Sequence, residues 1–294
     1  MLSDKILLAT SIIPNTRLHI QISALKTWAE NGFDVISFNT PNEIKTLCNK
    51  FPKISFIPII RTGEIYTGKP LPLIADILEE LYLSKYKYCG IVNSDIHFSS
   101  SSSLDLIIKD HIKNSFIYGA RFEVDNLNSL KGKYDPFGFD YFIYDKTIKN
   151  VWQNNRFCLG MPFWDHWFPL IPILNGHKVK KIISPIARHA QHPNAWSNDT
   201  LAFNDEFVRA LIDHQTRSIE TQRNQKNTEI SENFNALDIQ RPYYQIKAKL
   251  LEQTNQSLDN PQTYSLTEDL AKLFDSITRD ILKFLDNYSE KIKL

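Results

Sequence analysis

Glycine and cysteine are scarce in this sequence, and each shortage excludes a class of site. Only 9 of the 294 residues are glycine, which argues against a glycine-rich phosphate loop as the main binding device. The three cysteines, Cys48, Cys89 and Cys158, are far apart and form no Cys-x-x-Cys pair, so neither a disulfide framework nor a thiolate zinc site is indicated. Their apolar neighbours predict that all three lie in the core of a protein from a reducing compartment.

An excess of charge is also missing. Lys and Arg together number 34 and Asp and Glu 33, for a formal net charge of +1, so no bulk charge favours a nucleic-acid partner. The N-terminus has no basic segment of the kind found in signal peptides, and its apolar run is too short to span a membrane. We therefore expect a cytoplasmic protein with no transmembrane segment and no nucleic-acid partner.

The first ninety residues alternate between strand-like and helix-like hydrophobic spacing. Strands are predicted over 5–13, 33–38, 54–60 and 88–92, and helices over 16–30, 42–50 and 73–83. Such alternation is typical of a parallel sheet with helices on its faces.

The pattern changes after residue 92. Further strands are predicted over 116–123, 139–144 and 178–184, helices over 104–112 and 165–174, and a polar loop over 124–136. Strands added in this way are common in mixed sheets. The fold class predicted is therefore α/β, with a mixed, mostly parallel sheet flanked by helices.

No strand pattern is convincing beyond about residue 203. Helices are predicted over 205–220, 243–253 and 267–291, a polar linker over 222–240, and a capping box at 265–268. We therefore predict two domains, an α/β domain over 1–202 and a helical C-terminal extension over 203–294. The last helix has one long apolar stripe, so we expect it to dock, first on its own domain and second in a homodimer through the C-terminal helices.

The strand over 88–92 ends on polar residues, Asn93, Ser94 and Asp95. In an open parallel sheet ligands bind at the carboxyl ends of the strands, which makes Asp95 a candidate ligand-binding carboxylate. The alternative is an Asp that forms a turn or caps a helix, which is common after strands.

Charged residues interrupt two later strands. Arg121 lies in "GARFEVD", and an Arg is costly to bury without a partner. Asp140 interrupts the aromatic strand "FGFDYFIYD". The alternatives are an edge-strand Arg with its head in water, and an Asp that accepts bonds from backbone N–H groups at a strand start.

The most unusual stretch is "CLGMPFWDHWFP", over 158–169, which sets Trp164, Asp165 and His166 side by side. Aromatic faces beside a carboxylate suit a sugar, because its C–H faces stack on rings while its hydroxyls bond to the acid. The alternative is an aromatic packing cluster with Asp165 as the N-cap of the next helix.

Two histidines follow the strand predicted over 178–184, His189 and His192 in "ARHAQHPNAW". An i, i+3 pair chelates a metal when both rings turn to one side, and His is the commonest transition-metal ligand. The alternative is one surface and one loop histidine, since this spacing alone does not identify zinc.

Taken in order, these stretches resemble the motifs of nucleotide-diphospho-sugar transferases of the GT-A glycosyltransferase fold, which is Rossmann-like. "IVNSDI" resembles the D-x-D motif in an N-x-D form, and "ARHAQH" the C-terminal His motif that completes the metal site. "GARFEVD", "GFDYFIY" and "GMPFWDHWFP" resemble motifs that lie between them. The resemblance covers roughly residues 5–196. It departs at Asn93, where the motif has its first Asp, and one carboxylate fewer weakens the expected metal affinity.

The resemblance implies a glycosyltransferase that moves a sugar from a nucleotide-diphosphate sugar to a hydroxyl acceptor, such as a glycan of a surface polysaccharide. It implies Mn²⁺ or Mg²⁺ as the cofactor, with Asp95, His189 and His192 as ligands. Asp165 is the first candidate for a base and Asp140 the second. The substrate-binding residues that it implies are Thr10, Ser11, Arg17, Asn93, Arg121, Trp164 and His166.

Three other functions compete with that of a transferase. A catalytically degenerate nucleotide-sugar-binding protein is suggested by Asn93. A nucleotidyltransferase is disfavoured, since "TSIIPNTR", after the first strand, contains no glycine. An interaction module that uses the helical extension leaves the polar residues of the strands unexplained.

Overall fold

The computed structural model describes residues 3–99, 103–127, 129, 131–149, 151–152, 155–192, 206–207, 209–210, 213 and 268–294, without the side chains of 137 and 268–277. The predicted helix over 243–253, the linker over 222–240, most of the helix over 205–220 and most of the capping box lie outside the described residues.

The described residues include ten strands of one sheet and seven helices that are described from end to end, and residues 206–207, 209–210 and 213 are helical as well. The strands are β1 (Ser3–Thr10), β2 (Asp34–Asn39), β3 (Ser55–Pro58), β4 (Tyr86–Val92), β5 (Ile96–Phe98), β6 (Ser115–Val124), β7 (Lys133–Asp145), β8 (Lys178–Ile182), β9 (Ala187–Ala190) and β10 (Glu290–Ile292). The helices are α1 (Leu18–Glu30), α2 (Pro41–Leu47), α3 (Glu64–Thr67), α4 (Ile74–Leu83), α5 (Leu104–Ile112), α6 (Trp164–Leu174) and α7 (Glu268–Tyr288).

The sheet is mixed and mostly parallel, which confirms the predicted fold class. Its strand order is β10-β8-β6-β7-β4-β1-β2-β3, and β9 pairs with β5 and β6 beside this path. Antiparallel pairing occurs in β4–β7, β6–β7 and β5–β9, and the other pairs are parallel. The carboxyl ends of β1, β4, β6 and β8 therefore meet at one edge of the sheet, where ligands bind in open α/β sheets.

Helices cover both faces of the sheet. The core on one face includes residues of α4, α6 and α7, and the core on the other includes residues of α1, α2 and α5. Strand β4 contributes to both, with Cys89 and Ile91 on the first face and Tyr88 and Val92 on the second. Burial on both faces explains its continuous apolar run.

Two groups of expectations were wrong in detail. The short strands β5, β9 and β10 were missed because three or four residues give no measurable period. Strand β7 begins at Lys133, inside the predicted polar loop over 124–136.

The cysteine prediction was right for two residues and wrong for the third. Cys89 and Cys158 are buried, as expected. Cys48 is exposed, because α2 ends at Leu47 and leaves the thiol at the helix C-cap, followed by the exposed Asn49.

The described part of the C-terminal extension packs on the α/β domain. Ile281, Phe284 and Leu285 of α7 belong to the core that includes α6, and β10 extends the sheet by pairing with β8. This is the docking arrangement that was expected first. The predicted boundary at residue 202 lies among residues that the structure does not describe, and it stays a prediction, as does the homodimer. None of the described helices combines the length and the apolar character that a membrane span requires.

The packing of α7 predicts that its apolar face stabilises the whole domain. Leu285 is fully buried, so Leu285→Ala should lower the free energy of unfolding by about 2–5 kcal/mol. Lys283→Ala, on the exposed side of the same helix, should change it little. Urea unfolding of both variants measures this, and equal stability of the two would show that α7 is not part of the cooperative core.

Candidate active site

Asp95 lies in the turn between β4 and β5, at the carboxyl end of a central strand. The turn is closed by a hydrogen bond from the Ile96 N–H to the Asn93 carbonyl at 3.2 Å. The indole of Trp28, from α1, donates to the Ile96 carbonyl at 2.6 Å and holds the turn from the helix side. Strand β5 then pairs with β9, which places Ile96 opposite His189. The β5–β9 pairing therefore brings the first and last of the predicted motifs together.

Asp95, His189 and His192 offer three ligand atoms to one point. The Nε2 atoms of the two histidines are 3.2 Å apart. Asp95 Oδ2 lies 3.4 Å from the Nε2 atom of His189 and 3.5 Å from that of His192. Among the residues described, these three form a group able to hold a metal ion.

The spacing of these atoms fits a single divalent ion. Bonds of about 2.0–2.2 Å to one ion leave neighbouring ligand atoms about 3.0–3.5 Å apart, which is the range observed. One carboxylate and two imidazoles suit divalent transition ions, so of the two predicted ions the donors favour Mn²⁺ over Mg²⁺.

Arg17 faces this group from the loop after β1. Its Nη2 donates to Asp95 Oδ2 at 3.2 Å. The residue adopts a left-handed conformation, with φ 44°, directly before α1. Gln21 fixes the loop by accepting from the Ile13 N–H at 2.8 Å and donating to the Thr16 carbonyl at 2.7 Å. Arg17 is therefore held beside Asp95, which lies 78 residues further along the chain.

The charges of the group shift its acid–base properties. Burial alone would raise the pKa of Asp95, but hydrogen bonds from His189 and His192 and the charge of Arg17 hold it well below the usual range. Burial alone would lower the pKa of His189, but its bonds to Asp95 and Glu123 and the charge of Asp140 raise it to about 9. The metal-free protein thus keeps Asp95 ionised and His189 protonated at neutral pH.

Arg121 is bound by three carboxylates. Its Nε donates to Glu123 Oε1 at 2.5 Å and its Nη1 to Asp140 Oδ2 at 2.8 Å. Its Nη2 lies 3.0 Å from Asp135 Oδ2. Burial alone would lower the pKa of Arg121. The three carboxylates, Asp140 foremost, outweigh this effect and raise the pKa above its ordinary value. The edge-strand alternative for Arg121 is wrong, because at this point β6 lies between β7, which pairs with it on both sides of Arg121, and β9, which pairs with it from Phe122 onward.

An irregularity in β7 places Asp140 next to Arg121. The β6–β7 register shifts on both sides of Ala120, where Phe139 rather than Asp140 is its partner. Bulges of this kind re-aim a side chain. Asp140 accepts from Arg121 at one oxygen and from the Asn93 amide at the other. A Cβ at Gly138 would lie 2.8 Å from Arg121 Cζ, so glycine is needed there to let the guanidinium pass.

Asp165 lies in the first turn of α6. The residue before the helix is Phe163, with φ 73° and no capping side chain, so the alternative of Asp165 as the N-cap is wrong. Asp165 is half-buried. Desolvation raises the pKa of its carboxyl group, while the charge of His166 lowers it in part and that of Asp140 raises it. The carboxylate therefore lies within electrostatic reach of the group around Arg121.

Trp164 requires a correction. It was expected to stack on a sugar, but it is 2% exposed, and its ring packs against Phe142 and Phe168 at centroid distances of 4.9 and 5.9 Å. Its faces are covered by the core, so no sugar can stack on them in this structure. His166 is also buried, with its ring against Phe139.

The nucleotide-binding residues expected after β1 differ in accessibility. Thr10 is fully buried, and Ser11 is half-buried at the strand's end. Their contacts with a nucleotide stay predictions.

Glu123 and Asp135 were missed by the sequence argument. Glu123 could have been found, because residues i and i+2 of a strand share a face and Arg121 was already singled out. Asp135 gave no such signal, since it lies in what was predicted to be a loop.

The chain resembles several solved structures, all at low similarity. A mannosyltransferase from Pyrobaculum calidifontis, in complex with GDP-Man and Mn²⁺, has a TM-score of 0.46 at 8% identity and covers 96% of this chain and 86% of its own. HddC from Yersinia pseudotuberculosis has a TM-score of 0.31 at 14% identity, over 56% of this chain and 85% of its own. The mannosyltransferase Ktr4p from S. cerevisiae has a TM-score of 0.26 at 16% identity, over 41% of this chain and 39% of its own.

Neither a protein-family model nor a curated protein matches the sequence. Because the structural likenesses are this weak, the function has to be inferred from the chain's own residues.

The raised pKa of His189 predicts a pH-dependent metal affinity. A protonated imidazole cannot bind a metal, so ion and proton compete below a pH of about 9. Mn²⁺ affinity should rise by up to about tenfold for each pH unit between about pH 6.5 and 8.5. Isothermal titration at several pH values measures it, with His19→Ala, an exposed histidine, as the control that should behave as wild type. A flat profile would contradict the assignment of His189 as a ligand.

Proposed function

We propose that this protein is a divalent-metal-dependent glycosyltransferase that moves a sugar from a nucleotide-diphosphate sugar to an acceptor hydroxyl. The observation that carries the proposal is the triangle of Asp95, His189 and His192 at the carboxyl edge of the sheet, with Arg17 beside it. Its residues come from the two ends of the motif series that resembles the GT-A family.

Asp95, His189 and His192 would hold one Mn²⁺. The bound ion would neutralise the charge that develops on the nucleotide diphosphate as it leaves. Among the described residues of this region, five carboxylates, Asp95, Glu123, Asp135, Asp140 and Asp165, face two arginines and the protonated His189. Such an excess of negative charge favours a cation.

The arginines bind the donor in this proposal. Arg17 is about one-third exposed and close to Asp95, so its guanidinium can reach a diphosphate placed at the metal. Arg121 has five N–H donors in all, and the three carboxylates of its group fix its plane. A rigid guanidinium donates hydrogen bonds at a lower entropy cost than a mobile one. Because three carboxylates already balance its charge, a hydroxyl of the donor sugar suits its remaining N–H groups better than a phosphate.

Asp165 is the preferred base for an inverting reaction. A base should have a pKa closer to neutral than that of an ordinary Asp, and its carboxylate must be free to approach the acceptor hydroxyl rather than be held by other side chains. Burial gives Asp165 a raised pKa, whereas both oxygens of Asp140 already accept bonds from Asn93 and Arg121. In a retaining reaction no base is required, and Asp165 would bind the donor or acceptor sugar.

A degenerate nucleotide-sugar-binding protein is the second candidate. The observation that favours it is that Asn93 gives its amide to Asp140 and so adds no charge to the metal site. The two candidates share donor binding and differ only in turnover. The nucleotide and sugar of the donor, and the acceptor, are to be identified by experiment.

Asp95→Ala should abolish transfer while the fold persists. The variant removes the carboxylate of the metal site but no core residue. A panel of nucleotide sugars, assayed for released nucleotide diphosphate with and without Mn²⁺, measures turnover, and circular dichroism checks the fold. Near-normal turnover by the variant would refute the metal assignment. Donor binding by the wild type without any turnover would favour the degenerate binding protein.

Asp165→Asn should lower turnover by a factor on the order of 10² or more if Asp165 is the base. Asn keeps the size and polarity of the side chain but cannot take a proton, so donor binding should change much less. Steady-state kinetics with the donor identified by the panel separates the two effects. Unchanged turnover would remove Asp165 from the mechanism.

A further inference from the structure

We propose that Glu123 is a positioning residue that fixes the ring of His189 so that Nε2, and not Nδ1, faces the metal. The inference rests on the proposed metal site. Glu123 lies within "GARFEVD", but no role was predicted for it there.

The sheet register places the two residues side by side. Glu123 of β6 is the direct partner of His189 in the parallel pairing of β6 with β9. Glu123 Oε2 lies 2.9 Å from His189 Nδ1, while His189 Nε2 points at Asp95 and His192. The Nδ1 edge of the ring therefore contacts the Glu123 carboxylate, and the Nε2 edge faces the triangle of candidate metal ligands.

A carboxylate at this position selects one tautomer of the neutral ring. An ionised carboxylate only accepts hydrogen bonds, so Nδ1 has to keep its proton when the ring is neutral. The lone pair is then on Nε2, the atom that a metal at the triangle requires. Carboxylates in this position orient metal-bound histidines and raise their basicity.

Glu123 is itself held in place. Its second oxygen accepts from Arg121 Nε at 2.5 Å, and its side chain is 14% exposed. With one oxygen bound by Arg121 and the other facing His189, the carboxylate keeps a single orientation, which a freely rotating Glu would not.

Glu123→Gln tests the inference directly. Gln has the same shape, but it can donate to Nδ1 as well as accept from it, so it no longer enforces the tautomer. We expect the dissociation constant for Mn²⁺, measured by titration, to rise by about 10–100-fold. The matched control is Asp135→Asn, which also removes one negative charge from the partners of Arg121. Among the described residues, the carboxylates that pair with His189 are Asp95 and Glu123, and Asp135 is not one of them. The control should lose only the small contribution that one nearby charge makes to Mn²⁺ binding, a much smaller loss than that of Glu123→Gln.

A second readout needs no metal. Nitrogen-15 NMR of the histidine rings in metal-free Asp95→Ala protein, which has no Asp95 carboxylate beside Nε2 to compete for the proton, reports which nitrogen carries the proton when the ring is neutral. Asp95→Ala should show the Nδ1–H form at His189, and Asp95→Ala combined with Glu123→Gln a mixture of both forms. The Nε2–H form in Asp95→Ala, or equal Mn²⁺ losses in Glu123→Gln and Asp135→Asn, would overturn the inference. The Nδ1–H form in Asp95→Ala, together with no Mn²⁺ binding by wild type, would instead refute the metal site while leaving the ring orientation confirmed.

Discussion

The crowding of carboxylates at one edge of the sheet is the constraint on which the site depends. Glu123, Asp135 and Asp140 are close enough to share a single guanidinium, and like charges at such distances would repel strongly in a partly buried environment. Arg121 removes that repulsion, and a buried ion group is stable only when each member has partners. The bulge in β7 and the missing side chain of Gly138 are what allow the four groups to meet.

The departure of this chain from the D-x-D pattern follows from the same constraint. The Asn93 side chain donates to Asp140 Oδ1. An Asp at position 93 would place its carboxylate against that of Asp140, whose other oxygen accepts from Arg121. The ionised Asp could not donate a hydrogen bond, so the two carboxylates would repel each other. Asn keeps the bond and removes the repulsion. In the proposed site the ligands come instead from Asp95 and two imidazoles, so the first position of the motif acts through Asp140 and not through the ion.

The sequence singled out individual residues of the candidate site, but not their arrangement. Asp95 was singled out because it follows a buried strand at the edge of the sheet where ligands bind, and the two histidines because of their i, i+3 spacing. Their meeting could not be predicted, because it depends on β5 and β9. These strands are too short to show a period, and β6, β7 and β8 lie between them in the chain. Glu123 was missed for a different reason, because it looks like the polar side of an ordinary strand until its partner is known.

The aromatic stretch at the start of α6 shows why composition alone misassigned Trp164. Aromatic rings suit both a sugar and a core, and burial decides between the two. Here Trp164, Trp167 and Phe168 are all buried, and the chain enters the helix through Phe163 at φ 73°, an uncommon conformation for a residue with a Cβ. Such a conformation costs about 1–3 kcal/mol and persists only where the surroundings hold it. The buried rings supply that support, so their contribution to the site is indirect: they fix the first turn of α6 and with it the position of Asp165.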